Sequence, residues 1–157
     1  MTPDRDLLRH TLATVAYRGA KALHGAPADF ATFQAGKGVK TPVEILAHIG
    51  DLYAWALTIA KGATQWKGAA PLPWDQEVER FHATLSAFDA YLASDAPLAA
   101  PPGKLFQGPI ADSLTHAGHL NQLRRLHGSP IRGENYFKAN IVTGNVGADQ
   151  AAPKVEF

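Results

Sequence analysis

Cysteine is absent from this chain, and its absence removes disulfide bonding, thiolate metal ligation and cysteine nucleophilic catalysis together. A metal ion bound here has only histidine, carboxylate and water to hold it. An excess of one charge is missing too. Fifteen Lys and Arg against 14 Asp and Glu leave a formal net charge of +1, too small a basic surplus to neutralise a run of phosphates, so nucleic acid is not an expected partner. No stretch approaches the roughly 18 consecutive apolar residues of a membrane span. The N-terminus, MTPDRDLLRHTLATVAYRG, is charged and periodic, where a secretory leader would be a basic tip followed by an apolar run. The expectation is a cytoplasmic protein with no membrane partner. Internal repeats and low-complexity segments are lacking as well, and 157 residues suit a single domain, residues 1–157, with one sizeable core.

What the chain does have is helical periodicity. Four segments, near residues 3–24, 41–61, 75–94 and 109–127, carry apolar residues three and four apart. The first opens on Thr2 as cap with Pro3 at the first helical position, repeats Leu8, Leu12, Val15, Gly19 and Ala22, and stops at Gly25 and Pro27. The second opens on TPVE, where Thr41 can cap the helix, Glu44 can reach back to the cap and Pro42 fills the first position. Its stripe is Ile45, Ile49, Leu52, Ala56 and Ile59, with Glu44, His48, Asp51 and Trp55 along an adjacent row. Asp75 is the expected cap of the third, whose Val78, Phe81, Leu85, Phe88 and Leu92 step as in a helix packed nearly parallel or antiparallel to its neighbours. The fourth is expected to start at about Pro109, to face Ile110, Leu114, Ala117, Leu120 or Leu123, and Leu126 inward, and to end on Gly128. The remainder, 130–157, lacks a lasting period but carries Tyr136, Phe137, Ile141 and Val142, so it is expected to be an irregular extension ordered by packing on the helices. The fold class that follows is all-α, a four-helix bundle.

Chemistry concentrates in DSLTHAGHL, residues 112–120. On a helix Asp112, His116 and His119 share one face, which is the arrangement of a metal site or of an ordinary polar stripe. Sites in bundles are built from facing helices, and His48 on the second helix can complete a set of two histidines and one carboxylate that leaves positions open for water or substrate. Against this, a single histidine on a helix is more commonly hydrogen-bonded and partly buried than a ligand, and a carboxylate such as Asp112 in a first turn favours the helix dipole without any ion. His119 reads as a surface residue or a partner of a ligand ahead of a ligand itself. His10, His24, His82 and His127 fall at helix ends or on polar rows and are expected to be solvated. Trp55, Trp66 and Trp74 fit packing and loop anchoring. Ser113 and Thr115 lack the surroundings of a hydrolase nucleophile.

LAHIGDL in the second helix and DSLTHAGHLNQLRRLHG in the fourth, on a chain of this length, resemble the DinB/YfiT-like superfamily of metal-dependent helical proteins, over residues 1–128. The resemblance implies a four-helix bundle in which one histidine of the second helix and two, four apart, on the fourth bind a divalent metal, with zinc or nickel foremost and manganese or iron also suited. His48 matches the first place and His116 the last; Asp112 stands where the middle histidine is usual, and His119 where the family's signature has glutamine. It further implies a homodimer and a small-molecule substrate, with hydrolysis or transfer of a low-molecular-weight thiol as the chemistry. The competing expectation is a non-catalytic bundle that binds a small ligand or partner, its metal chemistry ended by Asp112.

Overall fold

The computed structural model describes residues 1–157. Its helices are α1 (Pro3–Leu23), α2 (Pro42–Ala60), α3 (Trp74–Ala93), a single turn α4 (Pro102–Leu105), a π-turn (Phe106–Ile110) and α5 (Ala111–His127), with a short 3-10 turn at Tyr136–Lys138. The protein is all-helical, with four long helices and no strand.

Local chemistry accounts for the ends of these helices. At α2 the Thr41 hydroxyl accepts from the Glu44 N–H at 3.4 Å while the Thr41 N–H donates to the Glu44 carboxylate at 2.8 Å, closing the expected capping box. α5 stops on Gly128, whose φ of 87° is the left-handed conformation that glycine adopts without a Cβ clash. Thr2 is the N-cap residue of α1 with Pro3 at the first helical position, as expected, whereas Asp75 does not cap α3, whose N-cap is Pro73. Thr2 makes no side-chain cap bond, and α3 begins one residue earlier, at Trp74, so that Asp75 lies in the first turn, where its charge still favours the helix dipole.

The fourth helical run departs most from expectation. It begins at Pro102, and Pro109, expected to start it, lies inside the π-turn. Proline lacks an N–H and its ring crowds the carbonyl four residues back; the wider π register accommodates it without ending the run. Pro102, not Pro109, is the proline at the start of the run.

The long helices pack in a ring: α1 on α3, α3 on α2, α2 on α5 and α5 on α1. Leu12, Leu46, Ile49, Phe81, Phe88 and Leu120 are buried at the centre. Within the long helices two glycines sit close against a neighbouring side chain: a Cβ on Gly19 would lie 2.6 Å from the Phe81 ring, and one on Gly50 would lie 2.8 Å from the Arg80 guanidinium. Leu126, expected to face inward, is exposed. α2 buries more than the expected stripe, adding Leu46, Ala47 and Tyr53, because it meets α3 on one side and α5 on the other. By length and composition α2 is apolar enough to cross a membrane, though Glu44, His48 and Asp51 interrupt it; here it is the most apolar of the packed helices, with 56% of that stretch buried.

Residues 130–157 are ordered, though chiefly by polar contacts. The buried Glu134 accepts from the Tyr17 hydroxyl at 2.6 Å and from Lys21 at 3.0 Å, and Lys21 reaches Glu156 at 2.9 Å. Glu134 and Glu156 also face each other in an isolated antiparallel bridge. Burial, and then the Glu134 carboxylate, push the Tyr17 phenol well above its ordinary pKa. Phe137 and Val142, expected to pack, are exposed, and Val146 is the apolar anchor instead.

Two of the four histidines expected in solvent are half-buried. His127 lies against Phe30 and Phe33, with its Nε2 3.1 Å from Asp29, because the connection after α1 folds back and inserts Phe30 into the core. The His82 Nδ1–H donates to the Val146 carbonyl at 3.1 Å, tying the extension to α3. Burial lowers the pKa of His82, opposed in part by that carbonyl. The unfolded chain therefore takes up this proton more readily than the folded one. Stability from His82 is complete above its unfolded pKa of about 6.5 and is lost as pH falls through the lower folded value. Urea midpoints should accordingly fall on acidification below about pH 6.5, and less steeply in His82→Asn, which keeps a donor but cannot titrate. Parallel pH profiles for the two proteins would remove His82 as a cause.

Candidate metal centre

His48 sits midway along α2, and Asp112 and His116 occupy consecutive turns of α5, which packs on α2. The His48 Nε2 lies 3.4 Å from one Asp112 oxygen and the His116 Nε2 lies 3.4 Å from the other. The two imidazole rings meet edge-on with centroids 4.7 Å apart. One ligand atom from each of the three residues lies within 4.8 Å of the other two. The structure therefore brings together the three residues singled out in the sequence, and the group can hold a metal ion.

The spacing suits an ion site and is also that of a loose polar cluster. At 3.4 Å each carboxylate–imidazole pair exceeds the usual N–H···O hydrogen bond. It is close to the separation of roughly 3.3–3.5 Å that follows for two ligands held at about 2.0–2.1 Å from one tetrahedral centre. Using different oxygens for the two histidines, Asp112 is placed between them. The side chains are 26%, 46% and 19% exposed for His48, Asp112 and His116 respectively, so the cluster lies at the rim of the core and is open on the Asp112 side.

Burial lowers the pKa of His116; Asp112 opposes this, while His48, His119 and Lys40 add to it. His116 is thereby held as the neutral imidazole a metal requires. His119 joins the centre indirectly. It is exposed, and its Nδ1 lies 3.3 Å from the His116 Nδ1. Were the His116 Nε2 to hold an ion, its Nδ1 would carry the proton and could donate to the His119 Nδ1, which would fix ring orientation and tautomer. Trp66 lies over the other histidine, its ring 5.8 Å from that of His48 and 5.7 Å from that of Trp55.

Several supports of the site were not recognised in the sequence. Ser113, read only as an unsuited nucleophile, is fully buried; it donates to the Ile110 carbonyl at 2.8 Å and shares a hydrogen bond with the Tyr53 hydroxyl, which fastens α5 to α2 beside Asp112. Burial pushes the Tyr53 phenol up, with Ser113 opposing. Arg80 of α3 binds the Ala47 carbonyl next to His48 at 2.6 Å, Asp51 at 2.8 Å and Glu77 at 2.8 Å. The i, i+3 spacing of Glu77 and Arg80 was a readable sign of one of these bonds; the bonds to α2 had none.

Compared with protein-family models, curated proteins and solved structures, the chain matches none, so the chemistry of the site is argued from its own geometry.

Proposed function

We propose that this chain is a DinB-like four-helix bundle and a metal-dependent enzyme, with His48, Asp112 and His116 as ligands of one divalent ion, zinc or nickel before manganese or iron. The observation that carries the reading is the convergence of the three ligand atoms from two packed helices within 4.8 Å. An ion there supplies Lewis acidity, lowering the pKa of a water or of a low-molecular-weight thiol so that a nucleophile exists at neutral pH. Three protein ligands leave coordination positions for such a group and for a small-molecule substrate. Without cysteine, the chain must take any sulfur nucleophile from solution. Hydrolysis and thiol transfer are the two reactions this arrangement suits. His119 serves by orienting His116, and Trp66 by covering His48. The reading includes a cytoplasmic homodimer, supported by the exposed Phe137 and Val142 of the extension.

The alternative, a bundle that binds a ligand without metal, is favoured by one observation: Asp112 can pair with either histidine when no ion is present. Protein purified without a histidine tag and loaded with zinc or nickel separates the two. The enzyme reading expects about one ion per chain, two chains per sedimenting particle, and turnover of a p-nitrophenyl ester or of chlorodinitrobenzene with a small thiol, abolished by chelation and restored by metal. Failure of both metals to bind would sink it.

A further inference from the structure

A groove of about 430 Å³ opens beside His116 and His119, within the range of sites that take small organic molecules. Its walls are apolar: Val39, Ala35 and Ile45 on one side, Leu123 and Leu126 on the other. Val39 and Leu126 are exposed despite lining it, which leaves apolar surface that a ligand can cover.

Lys40 is the one side chain in this lining with a permanent charge. Its ammonium pairs with no carboxylate. Glu44, the acidic residue nearest it in sequence, is turned to the Thr41 N–H of its own helix cap. Lys40 lines the same groove as His116 and His119, so the free cation and the candidate metal centre lie at one site. Gln122 adds an uncharged amide, and no acidic side chain lines the groove. An apolar trough with one free cation complements a molecule with an apolar body and one negative group.

We propose that this groove binds the substrate as a small organic acid, with its hydrocarbon part between Val39 and Leu126 and its carboxylate on Lys40. This rests on the metal-centre reading in so far as the groove serves that centre. A cationic substrate is disfavoured, because Lys40 and any bound divalent ion both repel it.

Hexanoate, hexanol and hexylammonium, titrated separately into metal-free and zinc-loaded protein and followed by NMR, test the assignment. The metal-free arm prevents a carboxylate bound directly to zinc from being mistaken for one on Lys40. In that arm hexanoate should bind about tenfold more tightly than hexylammonium, as one charge-assisted hydrogen bond warrants. Lys40→Gln should erase that preference without changing hexanol binding, and Lys40→Glu should reverse it. Lys40 is exposed, so both variants are expected to fold, and their spectra report whether they do. Equal hexanoate affinity in wild type and Lys40→Gln overturns the proposal. Retained Lys40-dependent binding in a protein that takes up neither zinc nor nickel supports the groove while overturning the metal centre, so the two failures are distinct.

Discussion

His116→Ala is expected to reduce zinc from about one ion per chain to a trace, since two remaining protein ligands seldom hold zinc tightly. The imidazole removed is the one on which the centre converges. Its Nε2 faces Asp112, its Nδ1 faces His119 and its ring abuts His48. The loss in affinity should exceed the roughly 10–100-fold typical of removing a group that only orients a ligand. His119→Ala should fall within that smaller range. Asp112→His should keep or strengthen binding, because it supplies a third imidazole from the same turn of α5. His82→Ala, on the far side of α3 contacts with the extension, should leave zinc content unchanged. Inductively coupled plasma analysis of tag-free protein, paired with competition titration against a chelating dye, measures both content and affinity. Equal zinc in wild type and in the His48→Ala, His116→Ala double variant would show these side chains to be ordinary polar members of the helices.

Arg80→Ala should be the most damaging single change outside the apolar core. Arg80 joins two nearly buried carboxylates, Glu77 at 1% and Asp51 at 9% side-chain exposure. Truncating it leaves Asp51 without a partner and Glu77 with only the Leu72 N–H, at 2.9 Å, and breaking a buried pair in this way costs about 3–5 kcal/mol. Urea denaturation of the two proteins reads the difference directly. Arg132→Ala supplies the contrast. Arg132 is 69% exposed and 4.0 Å from Glu156, and an exposed pair of that kind contributes about 0–1 kcal/mol. Because Arg80 also holds the Ala47 carbonyl beside His48, Arg80→Ala should weaken zinc binding by about tenfold, the effect of a lost supporting contact. A loss of stability no larger than that of Arg132→Ala would show that solvent reaches Glu77 and Asp51 once the arginine is gone.

The parts of this protein legible in its sequence are those decided within a turn or two of helix. Thr41 and Glu44 are three residues apart and close their capping box without help from the rest of the chain. Phe81, Leu85, Phe88 and Leu92 repeat every three or four residues and are all buried. Asp112 and His116 meet because four residues of helix bring two side chains onto one face. Even the misplaced start of the fourth run has a local cause, since Pro109 is compatible with a first turn and with a π-turn, and its own neighbours do not distinguish them.

Tertiary structure decided the rest. His48 lies 64 residues from Asp112, and whether they meet depends on α2 packing against α5, which is set by the burial of entire apolar faces and has no signature at either residue. The same holds for Arg80 and Asp51, 29 residues apart, and for Tyr17 and Glu134, 117 apart. Lys40 and Leu126 come to one groove only because α5 lies across the start of α2. Helical periodicity and capping arise from bonds among near neighbours, so a short window of sequence contains their cause. Contacts between distant segments arise from the summed burial of many side chains, none of which alone specifies its partner.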